Sequence, residues 1–417
     1  MNRNRLNTLT VAIGLSITSA STLANPQAFM SSRSFAMGGT GVASAHPSDA
    51  AATNPAMMAS AHHAWSDDFG LMLPSVNARV ADDAEVSDQV DSIQDTVDQI
   101  DQAIANNDAS GAQSGAGKLR DQLQAFDRDT VRANASLGLA MAFPSSSVSV
   151  GVFANGNLIV TARGEYDQDD DAVLAAIEAG TLPPTFADSL ESRGKVLASA
   201  VSEVGISFAR SFDVNGGNTF QLGLSPKYVN LRTFQYTETV SGFEDDNFDS
   251  DEYQTEKSGF NIDLGAAYAF GSDQQWNAGL AIKNLIPMEL DSAASRPFLG
   301  EQVRTLELNP MATAAIAHRG DYHVITAELD LTEKEAFGYE DNTQWLALGA
   351  ELDAWRYAQL RFGVRQNLAS NDDNEGIEEK TQFTAGLGLN LLGVRVDIGA
   401  LFSDADQGAA LELGTAF

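Results

Sequence analysis

The chain has 417 residues and a formal charge of −32, from 25 basic and 57 acidic side chains, with five histidines and no cysteine. Without cysteine there is no disulfide, no thiolate metal site, no thiol redox chemistry and no lipoprotein anchor. The acidity argues against binding nucleic acid, whose phosphates call for clustered Lys and Arg, and suits a surface facing salty water or divalent cations.

In chain order, residues 1–24 read as a secretory signal. Arg3 and Arg5 precede a modestly apolar stretch from Leu6 to Ser21, and "STLA" supplies small residues before Asn25. This stretch is too short and polar to span a bilayer as a helix, and no later run reaches about 18 apolar residues, so helical spans are excluded. The first strand is expected from about Asp68.

Residues 81–130 then break the strand pattern. Val86, Val90, Ile93, Val97, Ile100 and Ile104 form a heptad stripe, and Leu119, Leu123 and Phe126 repeat it after a Gly/Ser break, which predicts a helical hairpin with an Asp-rich outer face. Residues 165–201 are expected to form a second helical insertion.

Between and after these insertions the period becomes two. In "VRANASLGLAMAF" the residues Val131, Ala133, Ala135, Leu137, Leu139, Met141 and Phe143 oppose Arg132, Asn134, Ser136, Gly138 and Ala140. "SGFNIDLGAAYAFG", "TQFTAGLGLNL" and "VRVDIGALF" alternate in the same way. Such runs exceed the usual strand of about 5 or 6 residues. Long strands with one apolar face and one polar or glycine-rich face predict an all-β, transmembrane antiparallel barrel of about 14 strands. Closure is required because lipid cannot satisfy an open sheet edge.

The connections agree with that architecture. Short turns at 144–147, 213–218, 271–275, 319–321, 353–355 and 392–393 alternate with long segments at 81–130, 165–201, 241–257, 287–303, 333–342, 369–379 and 403–407. Tight periplasmic turns and large extracellular loops would produce this alternation. The chain ends in "GAALELGTAF", read as a closing strand whose Phe417 sits at the membrane interface.

Candidate chemistry is sparse. Asp245, Asn247, Asp249, Asp251 and Glu256 match calcium-loop positions, but Ser250 replaces the turn glycine and strands flank the segment, so loose divalent binding near lipopolysaccharide is expected rather than a dedicated metal site. His62 and His63 point apart in an extended chain. No Ser/His/Asp group or carboxylate pair stands out, so no catalysis and no cofactor are expected. On the polar face lie Arg132, Lys227, Asp263, Lys283, Arg361, Arg365, Arg395, Asp397 and Glu412, which could brace a plug or hold a ligand carboxylate. Pro226 and Pro310 interrupt strands, and proline removes a ladder donor.

The segment before the first strand, "SSRSFAMGGTGVASAHPSDAAATNPAMMAS", resembles the N-terminal region of FadL-type outer-membrane transport proteins. Its matching residues are Met37, Gly38, Gly39 and Gly41 in the glycine stretch, the step from Asp49 to Thr53, and Asn54, Pro55 and Ala56. The order of this segment, "DDFGLMLP", the Asp-rich insert, "SEVGISFARSFDV", "SPKYVNLRTFQY", "AIKNLIP" and "AQLRFGVRQNL" resembles the outer-membrane family that carries the conjugal-transfer name TraF. A thioredoxin-like periplasmic protein shares that name, but this chain has neither its cysteines nor a βαβ pattern.

The FadL resemblance implies that residues 25–66 form a periplasmic hatch in a barrel spanning 67–417 of a Gram-negative outer membrane. It further implies passive uptake of hydrophobic small molecules, released sideways through a kink such as Pro226 or Pro310. Implied partners are membrane lipid, lipopolysaccharide and the assembly machinery that reads a strand ending in Phe. The alternative is a surface interaction protein linked to conjugation, with the helical insert as its working part and the barrel as anchor.

Overall fold

The structure, a computed structural model, describes residues 29–60, 70–82, 84–181, 186–214, 216–242, 250–354, 357–371, 377–378 and 380–416. The signal sequence, His62, His63, Asp245, Asn247, Asp249 and Phe417 lie outside the described residues.

The described residues open with two short helices, α1 (Ser32–Ala36) and α2 (Pro47–Thr53), and a 3-10 turn at Pro55–Ala59. Strand β1 (Gly70–Ala81) leads into helices α3 (Val86–Ala105) and α4 (Ala109–Phe126). Next come β2 (Thr130–Phe143), β3 (Ser149–Glu165), α5 (Asp170–Glu178), β4 (Arg193–Val214), β5 (Asn218–Thr239) and β6 (Gln254–Phe270). The remainder is β7 (Trp276–Lys283), β8 (Met288–Asp291), β9 (Thr305–Leu308), β10 (Met311–Arg319), β11 (His323–Asp330), β12 (Trp345–Ala354), β13 (Ala358–Asn367), β14 (Thr381–Leu391), β15 (Val394–Phe402) and β16 (Asp406–Ala416).

All of these strands except β8 and β9 pair antiparallel in one closed barrel, and β16 returns to β1 from Ala81↔Asp406 to Gly70↔Ala416. Fourteen strands thus leave no barrel edge unpaired. The alternation decides which face is which. On β2 the exposed side chains are Leu137, Leu139 and Phe143, while Arg132, Asn134 and Ser136 are buried. Apolar groups outside and polar groups inside invert a water-soluble protein, as a lipid-facing wall requires.

The wall is uneven in height. Strands β3 to β6 hold 17, 22, 22 and 17 residues, whereas β7 and β10 to β16 hold 8 to 11. The upper parts of β4 and β5 are covered on their outer face too, where Val196, Ala198, Phe234 and Tyr236 pack with Tyr253. The Arg296 guanidinium lies over the Tyr236 and Tyr253 rings at 4.7 and 5.2 Å and fastens the 292–304 loop there.

The predicted helical hairpin is present. Val86, Ile93, Val97 and Ile100 of α3 close on Ala112, Ala116, Leu119, Leu123 and Phe126, and the seam continues to Leu174 and Ile177 of α5 and to Phe186 and Leu190. Arg120 bridges Asp171 at 2.9 Å and Glu178 at 2.6 Å, tying α4 to α5.

Three sequence expectations need correction. Among the described residues of 165–201 the helical ones are α5 and a 3-10 turn, Ala187–Ser189, because β4 already begins at Arg193. The 287–303 stretch is not plain loop. β8 and β9 pair as a separate two-stranded sheet whose Met288, Leu306 and Leu308 pack with Leu197, Val201, Val229 and Leu231 on the lumen face of β4 and β5. Four-residue strands are too short to show a period.

Pro310 does not interrupt a strand, since it falls between β9 and β10. The proline at which the register does break is Pro74, in a strand whose sequence does not announce it. The β1 ladder shifts between Leu73 and Ser75 against β16, and between Met72 and Ser75 against β2. An extra residue of this kind makes a bulge, where a missing N–H costs little.

Candidate functional site: the hatch and the cavity above it

Residues 29–60 lie inside the barrel. Ser31 starts α1 by accepting the Ser34 amide at 3.2 Å. Gly38 and Gly39 then take φ of 75° and 86°, left-handed angles that disfavour any side chain, and turn the chain back on itself.

The α1 flank is held by charge. Arg33 donates from Nε and Nη2 to Glu351 at 2.8 and 3.1 Å. Glu351 also accepts Arg361 Nε at 2.6 Å, and Arg361 Nη1 reaches Asp397 at 2.6 Å. Asp397 pairs with Arg395 at 2.7 Å, Arg395 with Glu412 at 2.6 Å, and Glu412 accepts the Ser32 amide at 2.9 Å. Three cations and three carboxylates alternate from α1 across β12, β13, β15 and β16 and back to α1. Each buried charge has an opposite neighbour on the chain, the condition under which burial is tolerated. Asp49 lies nearby and accepts Ser31 Oγ at 2.7 Å. Burial pushes its carboxyl above the usual value, with Arg33 pulling the other way.

The other flank is held through hatch backbone. Gly41 and Val42 both donate to one Glu328 oxygen at 2.9 Å. The carbonyls of Ala43, Ala51 and Ala52 accept Asn277 at 2.8 Å, Ser207 at 2.9 Å and Lys283 at 2.5 Å. Asn54 donates to Val42 O at 2.7 Å and accepts the Ala56 amide at 3.2 Å.

Glycines on the wall make this closeness possible. A Cβ on Gly265 would stand 2.1 Å from Asn54 Oδ1, one on Gly223 2.3 Å from Ala56 N, and one on Gly363 2.1 Å from Gly38 N. The same holds for Gly279 against Val42 O at 2.5 Å, Gly349 against Met37 O at 2.6 Å and Gly386 against Ala36 at 2.4 Å. Met37, Pro55 and Ala56 are thus seated on a girdle of bare wall.

Of the cations expected on the lumen face, Arg361 and Arg395 belong to the charge chain and Lys283 touches the hatch directly. Lys227 instead ties strand to strand, reaching Glu203 at 2.6 Å, Asn284 at 2.7 Å and Asp263 at 2.9 Å. Arg132 pairs with Asp406, which also holds Arg79 at 3.1 Å. Arg365 donates to Gln382 at 2.7 Å and lies over the Trp345 ring at 4.2 Å. Glu256, offered as a calcium ligand, accepts Asn230 at 2.6 Å on β6, and Asp251 opens the 3-10 turn Asp251–Tyr253. The sequence does not single out Arg33, Glu328 or Glu351, although the two glutamates fall on lumen positions of alternating strands.

Above the hatch, towards the long loops, is a cavity of about 80 Å³. Phe29, Met30 and Val42 of the hatch and Met311, Ala347 and Trp345 of the wall give it apolar sides, while Lys283, Glu328, Asp330, Lys334 and Arg365 supply charge.

At Pro226 the wall itself is thin. The β4–β5 ladder passes from Gly205↔Lys227 to Phe208↔Leu224 without the two intervening pairs, while Pro226 stays paired to Ile262 of β6. Ser207 and Ser225 hydroxyls meet across the gap at 2.6 Å.

These features define a transmembrane β-barrel plugged by its own N-terminal segment, the FadL-type fold. Solved structures with this fold include the deltaS2S3 mutant of the monoaromatic hydrocarbon channel TodX (11% identity, 93% of this chain and 99% of that one, TM-score 0.52). Others are the monoaromatic hydrocarbon channel CymD (12%, 94% and 99%, TM-score 0.51) and the toluene transporter TbuX of Ralstonia pickettii (12%, 94% and 99%, TM-score 0.50). At such identities the likeness is one of fold.

The chain belongs to the family described as "F plasmid transfer operon, TraF, protein", whose model matches residues 51–330. No curated protein matches it.

Proposed function

We propose that this barrel sits in a Gram-negative outer membrane and takes up small hydrophobic molecules passively, without catalysis. The observation that carries this reading is the cavity bounded on one side by hatch residues Phe29, Met30 and Val42. A ligand there touches the plug, so its arrival can change the plug's stability. At about 80 Å³ the cavity is smaller than a monoaromatic ring needs, so binding has to shift Met30, Met311 or Trp345. Methionine is suited to such repacking.

The gap at Pro226 is the proposed sideways exit. Ser207, which fills it, also holds the hatch at Ala51, so release of the hatch and opening of the wall share one residue. Pro310, outside the strands, has no such part.

The test is uptake by cells whose lipopolysaccharide-bearing outer membrane lacks comparable barrels. Labelled toluene should enter faster when the chain is expressed, and hydrophobic compounds should co-purify with the folded barrel. Equal uptake with and without it, together with an empty barrel, would sink the proposal.

A further inference from the structure

The wall between β6 and β10 is closed in two ways. Low down, β7 pairs with β6 from Phe270↔Trp276 to Leu264↔Ile282, and with β10 up to Met311↔Lys283. β6 runs on past Leu264 to Gln254, still paired with β5. On its other side it meets the 284–291 segment, which ends in β8.

There the ladder gives way to side chains. Leu285 N–H donates to Ile262 O at 3.0 Å. Asn261 then bonds both the amide and the carbonyl of Ile286, at 3.0 and 2.7 Å. Higher up, the Lys257 ammonium reaches Glu289 O and the Thr255 hydroxyl reaches Asp291 O, each at 2.7 Å. Lys257 and Glu289 are exposed, so water can take over such bonds one at a time.

β8 and β9 thus form a flap with a foot at each end. One foot is Asn284, at a left-handed φ of 56°, directly after Lys283, the last residue of β7. The other is Asn309 and Pro310, directly before Met311, the first residue of β10. Lys283 and Met311 both line the cavity above the hatch, so both feet stand on its rim. Asn284 also accepts Lys227 at 2.7 Å, next to Pro226.

On the inner side Met288, Leu306 and Leu308 of the flap cover Leu197, Val201, Val229 and Leu231, and Phe337 and Tyr339 complete the cluster. Arg304 latches the flap to that loop, donating to Phe337 O at 2.9 Å with its guanidinium 5.0 Å from the Tyr339 ring centre. Lifting the flap bares apolar surface on both sides, which water penalises and an apolar molecule in the gap does not. Phe260, Leu285 and Ile286, exposed at 77%, 41% and 44%, border the seam.

We propose that the β8–β9 flap is the inlet to the cavity. A hydrophobic molecule gathers at Phe260, Leu285 and Ile286, parts the flap from β6 and reaches the cavity at the flap's feet. The inference rests on the uptake reading above and adds an entrance to the exit at Pro226. It also supplies selection: a polar solute cannot offset the bared apolar surface, so the flap stays shut to it.

The chain has no cysteine, so a cross-link can be confined to the seam. Lys257→Cys with Glu289→Cys sets two accessible thiols across it, to be joined by a short bis-methanethiosulfonate that dithiothreitol removes. Heat-modifiable gel mobility checks folding. Labelled toluene uptake by cells carrying the joined chain should fall about tenfold and return on reduction, as a blocked gate requires. Chains with either cysteine alone should not respond to the reagent. In the opposite direction, Thr255→Val with Lys257→Met loosens the seam and should raise uptake about threefold.

Full-rate uptake by the joined chain would place the inlet elsewhere and end this inference alone. Equal uptake with and without the unaltered barrel would end the uptake reading and this one with it. Slower uptake by the loosened chain would make the flap a support for the wall, which also overturns the proposal.

Discussion

The two flanks of the hatch are fastened by different chemistry. On the α1 flank a hatch side chain, Arg33, joins a run of alternating wall charges. On the flank from Gly41 to Ala59 wall side chains address hatch backbone, and wall glycines let that backbone come close. A buried ion chain is costly to break at one point because the orphaned charges stay buried. Hydrogen bonds to backbone give way singly, each for about 0.5–1.5 kcal/mol where the wall group is neutral, as at Ser207 and Asn277, and about 1.5–3 kcal/mol where it is Glu328 or Lys283. The difference casts α1 as the anchor and the Gly41–Ala59 flank, next to the Pro226 gap, as the part free to move.

The largest test of that contrast is Glu351→Ala. It strands Arg33, takes one of the two carboxylate partners of Arg361 and should destabilise the seated hatch by about 3–5 kcal/mol, making Arg33 newly sensitive to trypsin. Arg33→Met with Glu351→Leu should cost less than the single change, since only Arg361 then loses a partner and keeps Asp397. Equal costs would show that the chain is not what anchors α1.

Gly265→Val comes next. Its side chain would enter the space of Asn54 Oδ1, 2.1 Å from the Cβ position, at a cost of about 1–3 kcal/mol or more. Hydrogen exchange should quicken at Gly41 to Ala59 and not at α1. Acceleration of both flanks together would show that the hatch moves as one body.

A smaller effect is expected from Asn277→Ala, which removes the donor to Ala43 O and should cost about 1 kcal/mol. The readout is exchange at the neighbouring hatch amides, with the barrel's own melting unchanged.

The smallest concerns pH. The Asp49 carboxyl is raised above 3.8 by burial, so protonation favours the seated hatch. That contribution is complete below the ordinary aspartate value and is lost as pH climbs through the raised one. Urea-induced release of the hatch should therefore become easier from about pH 4 upward, and Asp49→Asn should flatten the dependence while keeping an acceptor for Ser31. A slope that persists in the variant would move the effect to another group.

How much was legible follows from the same contrast. The strands on β2, β6, β14 and β15 announce themselves because side-chain direction alternates residue by residue, whatever lies opposite. The α3 and α4 stripes do so for the equivalent reason at helical period. Arg361 and Arg395 could be placed in the lumen by parity, and parity also carried the signal for Glu328 and Glu351.

Their partners could not be read. Arg33 and Glu351 are 318 residues apart, and nothing local in either segment encodes the other. The backbone-held flank is harder still, because an alanine carbonyl carries no identity. β8 and β9 were missed for want of length, and Pro74 because a bulge is defined only against the neighbouring strands.

The amino-acid order by itself determined that this chain forms a closed antiparallel wall with apolar outside, polar inside and a helical hairpin at its long-loop end. Those are consequences of period, length and the need to satisfy backbone groups. Only the tertiary structure decided which charges meet, where wall glycines receive the hatch and which proline thins the ladder. Each depends on contacts between residues far apart in the chain, fixed by barrel register and closure rather than by local preference.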